Sequence, residues 1–264
     1  MQGSANLNIM FKVARAAGRI LLKDFTEIEN LQGHVAGAVE FAQKSHERVS
    51  QKLREELTEA RKTYGYLATG EEEMIGEDPT RRWLVAPVMG PLNFAKGSPM
   101  WGISIALEHK GNVVSAVVHY PVTDEMFFSE KGLGAWLNER RIRASDQTHV
   151  SDAVVSAPIP ARNEVYLPAV LRELAQVAPA CAGVRSSGAT GMDVIYLAAG
   201  RLDAMWARNF DICDVAGPQL IAREAGVLFE PIRPNQDPNA DKGFIGATGA
   251  VFYEFAKTVR ATED

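Results

Sequence analysis

The chain is poor in cysteine, in long apolar runs and in excess charge of either sign. Its 264 residues contain two cysteines, Cys181 and Cys213, which give no disulfide framework, so we expect a reducing, cytoplasmic location. No apolar run approaches the roughly 20 residues that span a bilayer, so we expect no membrane contact. The net charge of −5 argues against a nucleic-acid-binding surface over the whole molecule. It does not exclude a local basic patch that binds nucleic acid.

The order of apolar patterns along the chain predicts a layered α+β and α/β architecture. Helical patterns come first, a meander of antiparallel strands follows, and strands then alternate with helices. We expect residues 1–146 to form an N-terminal α+β half and residues 147–264 a C-terminal α/β half, together one compact domain. With 46% hydrophobic residues, a chain of this length can bury a sizeable core.

Periodicity predicts the principal elements. We expect amphipathic helices over residues 6–25 and about 41–62, with a loop or short hairpin over 31–39. Two strands, 102–108 and 112–120, are predicted to pair through a turn at Lys110–Gly111. A segment rich in Pro, Asn and Asp, 231–243, is predicted to be a long loop.

One stretch, from Trp83 to Phe94, has the pattern of a buried strand followed by a tight turn. Its first three residues predict a buried strand, and Pro87 and the pair Gly90–Pro91 predict a tight turn immediately after it. In α/β enzymes chemistry is placed at the carboxyl ends of strands. This stretch is therefore the first candidate for a functional site.

The same stretch resembles the metal-binding signature of the inositol monophosphatase family, Asp-Pro-(Ile/Leu)-Asp-Gly-Thr-x-Asn-Phe. Pro87, Gly90, Asn93 and Phe94 hold their places in it. Four further segments resemble the family in the same order, namely 101–107, 131–138, 198–203 and 213–217. The resemblance implies a five-layered αβαβα sandwich, usually a homodimer, that hydrolyses phosphate monoesters with Mg²⁺ held by clustered carboxylates.

Most of the positions that hold metal ligands or catalytic groups in the family carry other residues here. The resemblance places at these positions His46, Thr69, Ala86, Met89 and Pro91, and only Asp214 keeps its ligand position. A gap of one or two residues would place Glu71 instead of Thr69 at the family's glutamate. A methyl group and a thioether cannot replace the oxygen ligands of a hard cation. We therefore expect none of the five to be functional, and no cofactor.

The main hypothesis is a catalytically inactive member of the family, a pseudoenzyme. It would act as a binding, structural or regulatory subunit, as a homodimer with a protein partner whose identity the sequence does not give. The alternative is a Mg²⁺-dependent phosphate monoester hydrolase with a metal site rebuilt around Asp214 and Glu71 or Glu72. Phosphate release abolished by Asp214→Asn would favour the alternative.

Several single features have both a structural and a functional interpretation. Gly188 and Ala189 open a predicted helix and could hold an anion, as in a small-anion sensor, and Gly90 is a further weak substrate-binding candidate. Asp214 could be only an N-cap. Cys213 has no assigned His partner, which is typical of an inert thiol. The basic residues Arg140, Arg141 and Arg143 are either a solvated face or a contact for nucleic acid or an acidic protein.

Overall fold

The structure is a computed structural model that describes residues 3–30, 35–159, 165–233 and 243–261. It divides into two compact units. The first unit comprises Met1–Arg141 and Asp211–Ile221, and the second comprises Ile142–Phe210 and Ala222–Asp264. Most of the predicted loop 231–243 lies outside the described residues.

Two long helices cover the sheet of the first unit. Helix α1 spans Ala5–Asn30 and α2 spans Val35–Ala60, both longer than the sequence predicts. The prediction of a loop over 31–39 is wrong from Val35 onward, and residues 31–34 lie outside the described ranges. Helix α2 begins early because its buried stripe starts at Ala38 and continues through Ala42 towards Leu57, and this packing outweighs the low helix propensity of glycine.

The first unit contains a seven-stranded sheet in the order β1-β2-β3-β4-β5-β6-β7. The strands β1 and β2 are parallel, and the pairs from β2 to β6 are antiparallel. The predicted hairpin of β3 and β4 is confirmed, with Lys110 and Gly111 both at positive φ in its turn. The bounds of the strands are β1 Tyr64–Ala68, β2 Asp78–Met89, β3 Gly102–His109, β4 Asn112–Tyr120, β5 Glu125–Glu130, β6 Ala135–Leu137 and β7 Arg140–Ile142.

Strand β2 is much longer than the predicted strand Trp83–Val85, and the prediction that it ends in a turn at Pro87 is wrong. Pro87 lies where the pairing of β2 with β3 is interrupted, between Ala86 and Met89. A proline is tolerated at such an irregularity because its missing N–H leaves no ladder bond unmade. The turn comes instead at Gly90, and the short helix α3 follows over Pro91–Ala95.

The second unit contains a five-stranded mixed sheet in the order β11-β12-β10-β8-β9. Its strands are β8 Val154–Ser156, β9 Gly183–Arg185, β10 Ala204–Arg208, β11 Val227–Pro231 and β12 Gly243–Thr248. Its helices are α4 Leu167–Val177, α5 Thr190–Ala198 and α7 Phe252–Arg260, and α6, Ile212–Glu224, begins in the first unit and ends in the second. The alternation of strands and helices predicted for this half of the chain is confirmed.

Candidate functional site

The candidate site lies in the first unit, where β1 and β2 end beside the first turn of α6. Because the two strands are parallel, their carboxyl ends meet at one edge of the sheet. Thr69, directly after β1, donates its N–H to the carbonyl of Val85 at 3.0 Å. The thiol of Cys213 lies 3.5 Å from the carbonyl oxygen of Leu67, which places the start of α6 at this edge.

Two aspartates mark the start of α6, and they have different roles. Asp211 caps the helix, because its Oδ1 accepts the N–H of Cys213 at 2.8 Å. The interpretation of Asp214 as the N-cap is therefore wrong, since Asp214 lies inside the first turn. Its Oδ1 is buried and has no hydrogen-bond partner among the described residues. Burial, and then the nearby Asp211 carboxylate, raise the pKa of Asp214 from 3.8 to about 7.

The positions that correspond to the family's signature lie at the end of β2. Ala86 and Met89 are fully buried and bring no oxygen atom to this edge. Gly90 has φ 74, a left-handed conformation that glycine adopts without strain, and Pro91 is the exposed first residue of α3. The loss of metal ligands at these positions stays a prediction.

Glu71, the second candidate ligand, is engaged by residues of α2. Its carboxylate accepts hydrogen bonds from the Ser50 hydroxyl and the Arg54 guanidinium. His46, which the sequence places near the start of a helix, lies in the interior of α2, and burial lowers its pKa although Glu71 acts in the opposite direction. Glu72 is exposed. The geometry therefore brings Glu71 to α2 and leaves it no unshared side-chain oxygen.

Sequence reasoning missed several polar residues at this edge. The hydroxyls of Tyr66 and Thr69 are buried without a partner among the described residues, and burial raises the pKa of Tyr66. Ser50 and Arg54 are separated from Glu71 by 21 and 17 residues, so no local pattern links them. Asp211 could have been found, because an Asp immediately before a helix is a capping signal.

The remaining candidates from the sequence are Gly188 with Ala189, Cys213, and the basic cluster of Arg140, Arg141 and Arg143. Gly188, with φ 76, and Ala189 precede α5 in the second unit, where the Ala189 N–H donates to the Ser187 hydroxyl at 3.0 Å. Burial raises the pKa of the Cys213 thiol to about 12, which keeps it protonated and a poor nucleophile. The side chains of Arg140 and Arg141 are exposed.

The described residues do not fit the Mg²⁺ cluster that the resemblance implies. Among the described ranges no group of three His, Cys, Asp or Glu side chains is close enough to hold a metal ion. The orphaned Oδ1 of Asp214 is one oxygen ligand, Glu71 is engaged by Arg54, and Ala86 and Met89 supply none. Mg²⁺ takes about six oxygen ligands from protein, substrate and water, and the described side chains at this edge supply too few of them to hold a metal cluster.

The fold and the sequence of this chain are both similar to those of known proteins, and these similarities define its class. The chain superposes on the crystal structure of the extragenic suppressor protein suhB from Bartonella henselae with a TM-score of 0.87 and 32% identity, over 97% of this chain and 100% of that one. The predicted fold class, the α/β sandwich of the inositol monophosphatase type, is thereby confirmed. Residues 4–263 match the inositol monophosphatase family, and the chain belongs to this family.

Two relatives with different names are similar over most of their length. The Inositol-1-monophosphatase of Rhizobium meliloti is 40% identical over 226 residues, which cover 86% of this chain and 85% of the relative. The Nus factor SuhB of Pseudomonas aeruginosa is 32% identical over 247 residues, which cover 91% of this chain and 90% of the relative.

No helix within the described residues has the length and apolar character that a membrane span requires.

These relatives contradict the prediction of a catalytically inactive protein. The similarity to an inositol-1-monophosphatase at 40% identity favours an active phosphatase instead. The prediction compared single positions such as Ala86 and Met89 with a signature. It gave too little weight to what the chain retains, which includes a buried acid at Asp214 and the family's frame over nearly the whole length.

Proposed function

We propose that this chain hydrolyses a phosphate monoester of the inositol phosphate class. The observation that carries the proposal is the 40% identity, over 86% of the chain, to a protein named Inositol-1-monophosphatase. The buried edge at β1, β2 and the start of α6 supports it, because this edge combines an acid of raised pKa with hydroxyls that have no partner among the described residues.

Asp214 is the residue to which we assign a role in the reaction. Hydrolysis needs a water oxygen that attacks phosphorus while the ester P–O bond breaks and the alcohol leaves with a proton. The Oδ1 of Asp214 can accept a hydrogen bond that nothing in the described part of the chain supplies. We propose that it binds and orients the attacking water at this edge.

The acidic residues predicted to join Asp214 have a weaker claim. Glu71 is bound by Ser50 and Arg54, and Glu72 is exposed to solvent. We therefore propose that Asp214 acts without either of them. Mg²⁺ would neutralise phosphate charge if bound, but the described residues bring no group of three candidate ligands together to hold it.

The experiment is a phosphate-release assay of the full chain on inositol 1-phosphate and a panel of other monoesters, with and without Mg²⁺. We expect Asp214→Asn to lower kcat by roughly a hundredfold or more, as loss of a positioned acid–base group does. Asp152→Asn removes an exposed carboxylate and is the matched control, with unchanged turnover expected. Absence of release from every monoester, or full activity in Asp214→Asn, contradicts the proposal.

A second candidate function is protein binding, which the Nus factor SuhB relative suggests by its name and its 32% identity over 91% of the chain. We propose that the chain forms a homodimer and binds a protein partner in addition to its catalytic role. Sedimentation of the purified protein tests the dimer, and affinity capture of the tagged chain from its native cell tests the partner. A monomer that captures no other chain contradicts this candidate.

A further inference from the structure

A groove on the helical layer of the first unit gathers basic side chains away from the candidate active site. It has a volume of about 560 Å³ and lies between α1 and α2. The residues that line it are Ala16, Arg19, Ile20, Lys23, Asp24, Arg48 and Lys52. We propose that this groove, called here the basic groove, binds a compact polyphosphate such as inorganic tripolyphosphate or the phosphate chain of a nucleotide.

The charges of the basic groove do not cancel. Arg48 is paired with the buried Asp24, and Lys52 Nζ lies 2.6 Å from Glu56 Oε1. Neither Arg19 nor Lys23 has a salt-bridge partner within the described ranges. Two carboxylates therefore face four cationic groups, although the chain as a whole is negative.

The two unpaired cations lie close together on one face of α1. Arg19 and Lys23 are four residues apart and both exposed, so they are neighbours on the helix surface. Like charges at this spacing repel each other and destabilise the helix, and a bound anion relieves their repulsion. The apolar parts of Ala16 and Ile20 line the same groove and lower the dielectric around a bound phosphate.

The surroundings of the basic groove favour a compact ligand over a long polyanion. Lys12, which precedes Arg19 and Lys23 on α1, lies in a neighbouring groove that is also lined by Glu56 and Glu59. A nucleic-acid strand that followed α1 would have its phosphates placed against these carboxylates. Lys12 and Lys23 are about 16 Å apart along the helix, so a compact polyphosphate held by Arg19 and Lys23 does not reach Lys12. Glu56, which lies between the two grooves, is already paired with Lys52.

Calorimetric titration of the full chain with inorganic tripolyphosphate tests the proposal. We expect Arg19→Ala/Lys23→Ala to weaken binding at least roughly tenfold, since it removes both unpaired cations. The matched control, Lys12→Ala/Arg15→Ala, removes the same two charge types from exposed positions of the same helix outside the basic groove. We expect this control to change the affinity less than about threefold.

Three outcomes overturn the proposal. They are the absence of tripolyphosphate binding, an equal loss in both double variants, and binding that Asp214→Asn abolishes, which would place the ligand in the candidate active site. Circular dichroism and thermal unfolding verify that both double variants are folded. A sedimentation arm with phosphatidylserine vesicles distinguishes a soluble polyphosphate from a lipid surface, and binding to vesicles without tripolyphosphate binding rejects the proposal. Because the readout is binding, its failure is separate from a failure of the phosphatase assay.

Discussion

Arg54 of α2 and Glu71, three residues beyond the end of β1, form an ion pair, and the Glu71 carboxylate also accepts a hydrogen bond from the Ser50 hydroxyl. The pair joins a helix to the end of a strand at the edge of the sheet that carries the candidate site. It also determines what Glu71 can do, because a carboxylate held by a guanidinium and a hydroxyl has little capacity left for a metal ion or a substrate.

Replacing Arg54 tests how much this pair contributes to stability. Arg54 is 47% exposed and Glu71 is 21% exposed, so solvent screens the interaction and Arg54→Ala should cost about 1 kcal/mol. Lys44→Ala breaks a pair with Glu40 in which the side chains are 67% and 68% exposed, and it is the control, with no measurable loss expected. Urea unfolding at pH 7 measures both. Equal effects of the two variants would show that Glu71 does not depend on Arg54.

Introducing oxygen ligands at the end of β2 tests the disagreement with the metal site that the resemblance implies. We expect millimolar Mg²⁺ to leave the Tm of the native chain unchanged, because the described residues gather too few ligands. Ala86→Asp/Met89→Asp adds two carboxylates at buried positions near the end of β2, so the variant should be less stable without metal and gain Tm with Mg²⁺. Differential scanning calorimetry measures these shifts. A Mg²⁺-dependent Tm in the native chain that Asp214→Asn removes would contradict this prediction.

The second unit contains a buried ion pair between α4 and β10. Glu173 Oε1 accepts hydrogen bonds from Arg208 Nε at 2.8 Å and Nη2 at 2.5 Å, and Glu173 Oε2 accepts from Trp206 Nε1 at 2.8 Å. Glu173→Gln removes the buried carboxylate charge from this pair and should cost about 3–5 kcal/mol. Glu230→Gln, at a more exposed pair with Arg260, is the control and should cost under about 1 kcal/mol. Denaturant unfolding measures the loss of unfolding free energy in both variants. A loss in Glu173→Gln no larger than that in Glu230→Gln would contradict the prediction.

The stability of the second unit should depend on pH through Asp193. The residue is 1% exposed, and burial raises its pKa from 3.8 to about 6 although Ser156 and Ser187 lower it. A raised folded-state pKa means that the stabilisation is present below about pH 4 and is lost as pH rises through about 6, by roughly 3 kcal/mol in total. Asp193→Asn should therefore match the native chain near pH 4 and exceed it at pH 7.

Denaturant unfolding of the native chain and Asp193→Asn at several pH values measures this dependence. Asp152→Asn, at an exposed position, should leave the native pH profile unchanged. An Asp193→Asn profile parallel to that of the native chain would contradict the assignment.

The close approach of α6 to β3 predicts a coupled pair of substitutions. A Cβ added at Gly217 would lie 2.8 Å from Ser104 Oγ, so Gly217→Ala should cost about 1–3 kcal/mol through overpacking. Ser104→Ala removes that oxygen, which is buried and has no partner among the described residues. We expect the double variant to recover most of the loss. A double-mutant cycle measures the coupling, and simple additivity would argue against the contact.

The sequence alone determined the elements whose patterns are local. The amphipathic stripe of α1, the hairpin of β3 and β4 with its Lys110–Gly111 turn, and the family frame around Asn93 follow from spacing within short segments. Such patterns depend on neighbours in the chain, so they can be interpreted before the fold is known.

Only the tertiary structure decided the features that depend on residues distant in sequence. The early start of α2 depends on packing against the sheet, and the passage of β2 through Pro87 depends on an irregularity in its pairing with β3. The pairing of Glu71 with Arg54 joins residues 17 positions apart. The burial that raises the pKa of Asp214 likewise comes from the packing of α6 against the sheet. Burial and long-range pairing depend on contacts between residues that are distant in sequence, so they cannot be deduced from any single stretch of the chain.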